Sequence, residues 1–175
     1  MKRSLFAAAL VSIAVVPFVA NAQKATVAKP VSIGISGGAS LPTSDLSDIA
    51  QTGWNVTGSV GLHSAMIPVG IRIDAAYNRY GVKAPFTGNY AVTSVSGNAV
   101  YTFPSSTVSP YAIGGAGWCH SDAEGATSND FCWNVGGGIS MPLSGFNTFV
   151  EARYTQIQTS PTATKFVPIT FGVMF

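Results

Sequence analysis

The chain closes on FVPITFGVMF, residues 166–175, in which every second residue is large and apolar: Val167, Ile169, Phe171, Val173 and Phe175. The positions between them include Pro168, Thr170 and Gly172. Successive side chains of a strand point to opposite sides, so this period of two predicts a strand with two unlike faces. Soluble domains ordinarily end on polar, poorly ordered residues. This one is expected to end inside a sheet, on an aromatic ring.

Working back from the tail, the same period recurs in seven earlier segments. They are PVSIGISGGASL (30–41), GWNVTGSVGLH (53–63), VGIRIDAAYNRY (69–80), YAVTSVSGNAVYTF (90–103), PYAIGGAGWC (110–119), CWNVGGGISM (132–141) and NTFVEARYTQ (147–156). In the second, Trp54, Val56, Val60 and Leu62 oppose Asn55, Thr57, Ser59 and His63. Helical spacing is missing throughout this region. The joints alternate between short ones (SAMIP, PSSTVS, PLSGF) and longer, more polar ones (PTSDLSDIAQT, GVKAPFTGN, HSDAEGATSND, IQTSPTATK). That rhythm predicts an up-and-down meander with one decorated end and both termini at the other.

The composition decides what surrounds the sheet. Charged residues are only 9% of the chain, against about 25% in a typical soluble domain. The face opposite the apolar one carries Gly, Ala, Ser, Thr and Asn rather than Lys and Glu. Such a face suits the crowded inside of a small barrel, with the apolar face turned to lipid. GGAG (114–117) and GGG (136–138) fit that crowding; a phosphate-binding loop would need a following helix. Trp54, Tyr77, Trp133 and Tyr154 are expected as one aromatic girdle at the long-loop end. Tyr101, Phe103, Tyr111 and Phe175 are expected as the other, at the short-turn end. Closure leaves no unpaired backbone edge in hydrocarbon. The predicted fold is all-β: a closed eight-stranded antiparallel up-and-down transmembrane barrel over residues 30–175. A soluble lipocalin-like binding barrel is the architectural rival.

Residues 1–22 read as a signal peptide. Lys2 and Arg3 precede a 16-residue apolar core, and Ala20-Asn21-Ala22 form a small-x-small cleavage site. That core is short of the roughly 20 residues of a spanning helix. Residues 23–29 are a short lead, without a cysteine for lipid anchoring. Loss of Lys2 and Arg3 leaves seven basic against seven acidic residues. A chain of zero formal net charge is a poor nucleic-acid partner. Export also allows Cys119 and Cys132 to be oxidised.

The terminal Phe175, with Phe171, Gly172 and Val173 before it, resembles the C-terminal assembly signal of Gram-negative outer-membrane proteins. With the leader, the eight segments and FVEARY (149–154), the chain is similar to the small eight-stranded barrels of the OmpX, Ail and OmpA transmembrane-domain type. The resemblance implies an integral protein of the outer membrane of a Gram-negative-type bacterium. It implies outer-membrane lipid and the barrel-assembly machinery as partners, and a porin-like or OmpA-like scaffold at the cell surface. No cofactor or metal is expected, and the chain is expected to be a monomer ending at the barrel. The outer loops are shorter than those of OmpX, and the two cysteines are a departure.

Four charges are expected inside. Arg72 and Asp74 on the third strand and Glu151 and Arg153 on the seventh share the inner face, and those strands oppose each other in a ring of eight. Pairing as Arg72–Glu151 and Asp74–Arg153 would offset the cost of burying them. The cluster reads as a structural plug, with a switchable gate as the sharper alternative. Cys119 and Cys132 flank the third long loop. Taking Tyr111 and Ile113 as lipid-facing, alternation puts the two cysteines on opposite faces. A bridge then needs a bulge near residues 115–117, or both cysteines in the loop; otherwise they are free thiols. His120, Asp122 and Glu124 read as a solvated loop and His63 as a lumen or rim residue. The functional expectation is a non-enzymatic structural or surface-interaction barrel with a blocked lumen, any surface ligand being met through the long loops. A narrow solute channel and a lipid-modifying outer-membrane enzyme are the alternatives.

Overall fold

The computed structural model describes residues 31–63, 68–85, 88–103, 107–123, 126–160 and 162–175. The expected signal peptide (1–22) and lead (23–29) lie outside the described residues. The strands are β1 (Val31–Thr43), β2 (Gly53–Leu62), β3 (Val69–Gly81), β4 (Asn89–Thr102), β5 (Ser109–Ala123), β6 (Ala126–Leu143), β7 (Phe146–Ile157) and β8 (Thr164–Met174). A short helix, α1 (Asp45–Ile49), lies between β1 and β2. Each strand pairs antiparallel with the next, and β1 closes on β8 to make a barrel. The seam runs from Gly34↔Met174 to Thr43↔Lys165. Reciprocal backbone bonds between Ile33 and Phe175, at 3.1 and 2.8 Å, continue it to the end of the chain.

The two faces are inverted relative to a soluble protein. Ile33 (64% exposed), Ile71, Ile73, Val150 and Phe171 lie on the outside, while Arg72, Asp74, Asn98 and Glu151 are buried within. In water so continuous an apolar exterior would be an aggregation surface. Around a closed barrel such a band suits a lipid surround. The tail strand obeys the rule: Ile169, Phe171 and Phe175 point out, and Phe166, Thr170 and Met174 point in. Each strand has at least 10 residues, and about 9–11 tilted residues suffice to span. Among the described residues no helix is long and apolar enough to cross a membrane.

Aromatic pairs mark both rims. At the long-loop end Trp54 packs at a tilt against Tyr77 and Trp133 against Tyr154, with centroids 5.6 Å apart in each pair. At the short-turn end Tyr101 meets Phe103 at 5.0 Å and Phe146 meets Phe175 at 5.9 Å.

Two expectations are corrected. Tyr111 and Ile113 are not lipid-facing; both point inward and are buried. The outward residues of β5 at this level are the small Ala112, Gly114 and Ala116. Inside, Tyr111 lies over Gly138 and Phe149 over Gly172. A Cβ at Gly138 would come within 2.6 Å of the Tyr111 ring, so the glycine makes room for it. Second, the described residues of HSDAEGATSND, 120–123 and 126–130, are strand rather than loop. β5 and β6 stay paired up to Ala123↔Ala126, with residues 124–125 outside the described set. The hairpin therefore stands beyond β7, whose last partner on β6 is Cys132.

Candidate functional site

The site is the barrel interior. It has three levels, set by which inward positions of each strand are large, charged or small.

At the long-loop end the interior is apolar. Leu46 of α1, Ala50, Tyr80, Val92, Cys119, Cys132, Ile157 and Phe166 form one buried cluster. α1 is too short to be stable alone. It is held because Leu46 seats in this cluster and because the chain after it docks on β3. The backbone N–H of Gln51 donates to the Gly81 carbonyl (2.8 Å) and that of Lys83 to the Ile49 carbonyl (2.7 Å). Tyr80, fully buried, shares a 2.6 Å hydroxyl–hydroxyl bond with Ser40 and meets the Phe166 ring edge-on at 5.9 Å. Cys119 and Cys132 are joined by a disulfide within this cluster, Cα to Cα 5.9 Å. No bulge is needed. Cys119 sits opposite Asp130 and Cys132 opposite Gly117, so the two are diagonal neighbours on the same inner face. The face assignment corrected at Tyr111 is what removes the conflict.

The middle level holds the four charges. Arg72 Nη2 donates to Glu151 Oε2 at 2.6 Å, and Arg153 Nη2 lies 2.7 Å from Asp74 Oδ2. Within strands, Arg72 Nε pairs with Asp74 at 3.2 Å and Arg153 Nε with Glu151. The result is a closed ring of alternating charge spanning β3 and β7. Neutral donors reach both carboxylates as well. Ser59 Oγ donates to Asp74 at 2.6 Å, Asn98 Nδ2 to Asp74 at 2.9 Å, and the Tyr111 hydroxyl to Glu151 at 2.8 Å. Asn134 Nδ2 donates in turn to Asn98 Oδ1 at 2.9 Å. The carboxylates are 2% exposed. Burial at that depth is tolerable only with this degree of pairing.

Between the charges and the apolar cluster lies a chamber of about 50 Å³, lined among others by Asn55, Asn78, Asn134, Asp74 and Glu151. Its size and polarity suit water. Below the charges is a second cavity of about 400 Å³, at the short-turn end. Arg72 is at its inner wall, with Val100, Tyr111, Phe149 and Met174, which belong to a second apolar cluster. His63, just past the end of β2, also lines it. Burial, and then the Arg72 charge, hold the His63 pKa below its ordinary value. The Arg72 guanidinium carbon lies 5.7 Å from the Phe149 ring centroid, within the range of a cation–π contact.

Of the remaining residues singled out by sequence, His120 lies on the outer face of β5, with Nδ1 2.9 Å from Asn129 Oδ1. Glu124 lies outside the described residues. Among the described residues no group of three or more His, Cys, Asp or Glu side chains is placed to hold a metal ion. Phe171, Val173 and Phe175 project outward on the closing strand while Gly172 faces in beneath Phe149. The inner apolar cluster at the long-loop end escaped sequence reasoning. A usable signal was Trp118, an exposed aromatic whose parity puts Tyr111, Ile113 and Cys119 on the inside.

A sequence profile described as "Outer membrane protein beta-barrel domain" matches residues 6–175. Three solved structures are similar. One is the crystal structure of Neisserial surface protein A, NspA, at 19% identity and TM-score 0.68, covering 83% of this chain and 96% of that one. The second is the outer-membrane protein Ail of Yersinia pestis in a phospholipid bilayer nanodisc, at 18% identity and TM-score 0.51, covering 82% and 99%. The third is the outer membrane enzyme PagL, at 14% identity and TM-score 0.52, covering 82% and 98%. At these identities the likeness speaks for the fold. No curated protein sequence matches significantly.

Proposed function

Because the chain belongs to the outer membrane protein beta-barrel domain family, we propose that it works in the outer membrane as a closed scaffold. Its lumen does not conduct, and its outer end is the contact surface. The observation that supports this reading is the filling of the interior at successive levels. The Leu46–Phe166 cluster caps the long-loop end, and the four-charge ring crosses the middle. Tyr111 and Phe149 crowd the level beneath. A solute would have to displace all three.

The outer end suits a surface role. The β5–β6 hairpin stands above β7 while β4 flanks it up to Ala123, and the disulfide braces its base. Its upper outward positions, His120, Thr127 and Asn129, are polar and exposed. Loops and edges of this kind carry specificity on rigid scaffolds. The chain acts without catalysis in this reading. The two histidines stand at opposite ends of the barrel, so they do not share a site, and His120 faces an amide rather than a nucleophilic hydroxyl.

The test is planar-bilayer recording of the refolded mature protein. The expected result is a flat trace, with no discrete steps. Reproducible unit steps from the wild-type chain, abolished when it is heat-unfolded, would establish the channel alternative instead.

A further inference from the structure

The four-charge ring is neutral as a whole but not in what it presents on each side. Asp74, Glu151 and Arg153 line the small outer chamber. Arg72 lines the larger cavity at the short-turn end. The charge offered to that cavity is therefore positive. Arg72 donates to Asp74 and Glu151 and its side chain also meets the Tyr111 hydroxyl; a guanidinium has five N–H donors, more than these three partners take. His63 stands beside it, its ring packed over Gly61 and Gly70, where a Cβ would come within 2.9 and 3.0 Å. Burial first, and then the Arg72 charge, disfavours its protonation. His63 thus adds a hydrogen-bonding group without a second fixed charge.

The rest of the wall is mixed: Val100, Phe149 and Met174 make an apolar strip deep inside, Leu143, Phe146 and Phe175 lie at the mouth, and Ser32, Thr102, Ser109, Ser140 and Asn147 add neutral polar groups between them. The volume, about 400 Å³, falls within the roughly 300–1,000 Å³ of small-molecule sites, which combine apolar walls with a few convergent polar groups. We propose that this cavity binds a medium-chain carboxylate. The carboxylate meets Arg72 and His63 at the inner end, and the chain lies along Val100, Phe149 and Met174. The charge selects the headgroup and the walls select the tail. The ligand comes from the short-turn side and is held there, whether or not the lumen above conducts.

Two methionines make the test internal. Met174 lines the cavity, whereas Met141 lies on the lipid face. The mature protein, labelled with ¹³C at methionine methyls, is placed in phospholipid nanodiscs and titrated with sodium octanoate, octylammonium chloride and octanol. Octanoate should shift the Met174 methyl saturably. The cation and the alcohol should need at least about tenfold higher concentrations, the value of one charge-assisted hydrogen bond. Thr102→Trp, which fills the cavity from β4, should weaken the octanoate effect by about the same factor. Ser140→Trp does the same from β6, should the first variant fail to refold by gel mobility. A Met174 shift that never saturates and tracks Met141 is bilayer partitioning and overturns the proposal. So does equal response to all three headgroups, or an octanoate curve that the tryptophan variants leave unchanged.

Discussion

Glu151→Ala is the sharpest probe of the barrel interior. Glu151 accepts hydrogen bonds from Arg72 at 2.6 Å, from the Tyr111 hydroxyl at 2.8 Å and from Arg153. Removing it leaves two guanidinium groups and one carboxylate buried in the lumen. Breaking a buried pair this way costs about 3–5 kcal/mol, mostly from the charge left uncompensated. Here both arginines keep Asp74, at 3.2 and 2.7 Å. That sharing places the expected loss near the low end, about 3 kcal/mol. Arg72→Ala/Glu151→Ala removes one charge of each sign, and Asp74–Arg153 survives as a neutral pair. The double variant should be more stable than the sum of the singles predicts, by about 1–3 kcal/mol of coupling. The assay is reversible urea unfolding in lipid vesicles, followed by tryptophan fluorescence and by heat-modifiable gel mobility. A Glu151→Ala protein within about 1 kcal/mol of wild type, or strict additivity in the double variant, would refute the claim that these four residues act as one unit.

Three further outcomes are expected. Replacing both cysteines by Ala should lower stability by about 3 kcal/mol, the chain-entropy value for a loop of this length, the separation being 13 residues; urea midpoints compared with and without reductant check it. Tyr80→Phe leaves the fully buried Ser40 hydroxyl without its 2.6 Å partner and should cost about 1–3 kcal/mol in the same assay, with Ser40→Ala/Tyr80→Phe recovering part of it. His63 titrates below its ordinary value in the folded state, so the unfolded chain binds its proton first as pH falls. Stability should decline from just above pH 6.5 down to the lowered folded value and level off below it; His63→Asn, compared across that window by urea midpoint, should remove this part of the pH dependence.

The strand number, order and closure were legible from the tail strand outward, because alternation survives wherever one face meets lipid. The same alternation put Arg72, Asp74, Glu151 and Arg153 on the inner face, and the strand count put their strands opposite each other. Their closure into a ring through Tyr111, Ser59 and Asn98 was not legible, because it depends on side-chain reach across the lumen. β5 was misread for a physical reason. An apolar surround tolerates the small Ala112, Gly114 and Ala116 on the outer face, whereas the lumen beside Gly138 is filled by Tyr111. On such a strand the bulkier face is the inner one. The paired residues 120–123 and 126–130 were misread as a loop because Ser, Asp and Asn favour turns, yet beyond an apolar band a strand has no need of apolar side chains. The cap formed by Leu46, Tyr80, Val92, Ile157 and Phe166 is assembled from single residues on separate elements, so no local stretch announces it.

That cap has a bearing on how the molecule comes together. Its members arrive from α1 and from six different strands, β3 through β8, and Ser40 of β1 completes it through Tyr80. It behaves like a keystone: β3 through β8 supply its walls, but Leu46, Ala50 and Ser40 reach them only when the last stave joins β8 to β1. Assembly should accordingly be late and abrupt at the outer rim, and prising that single joint apart should release the whole crown at once.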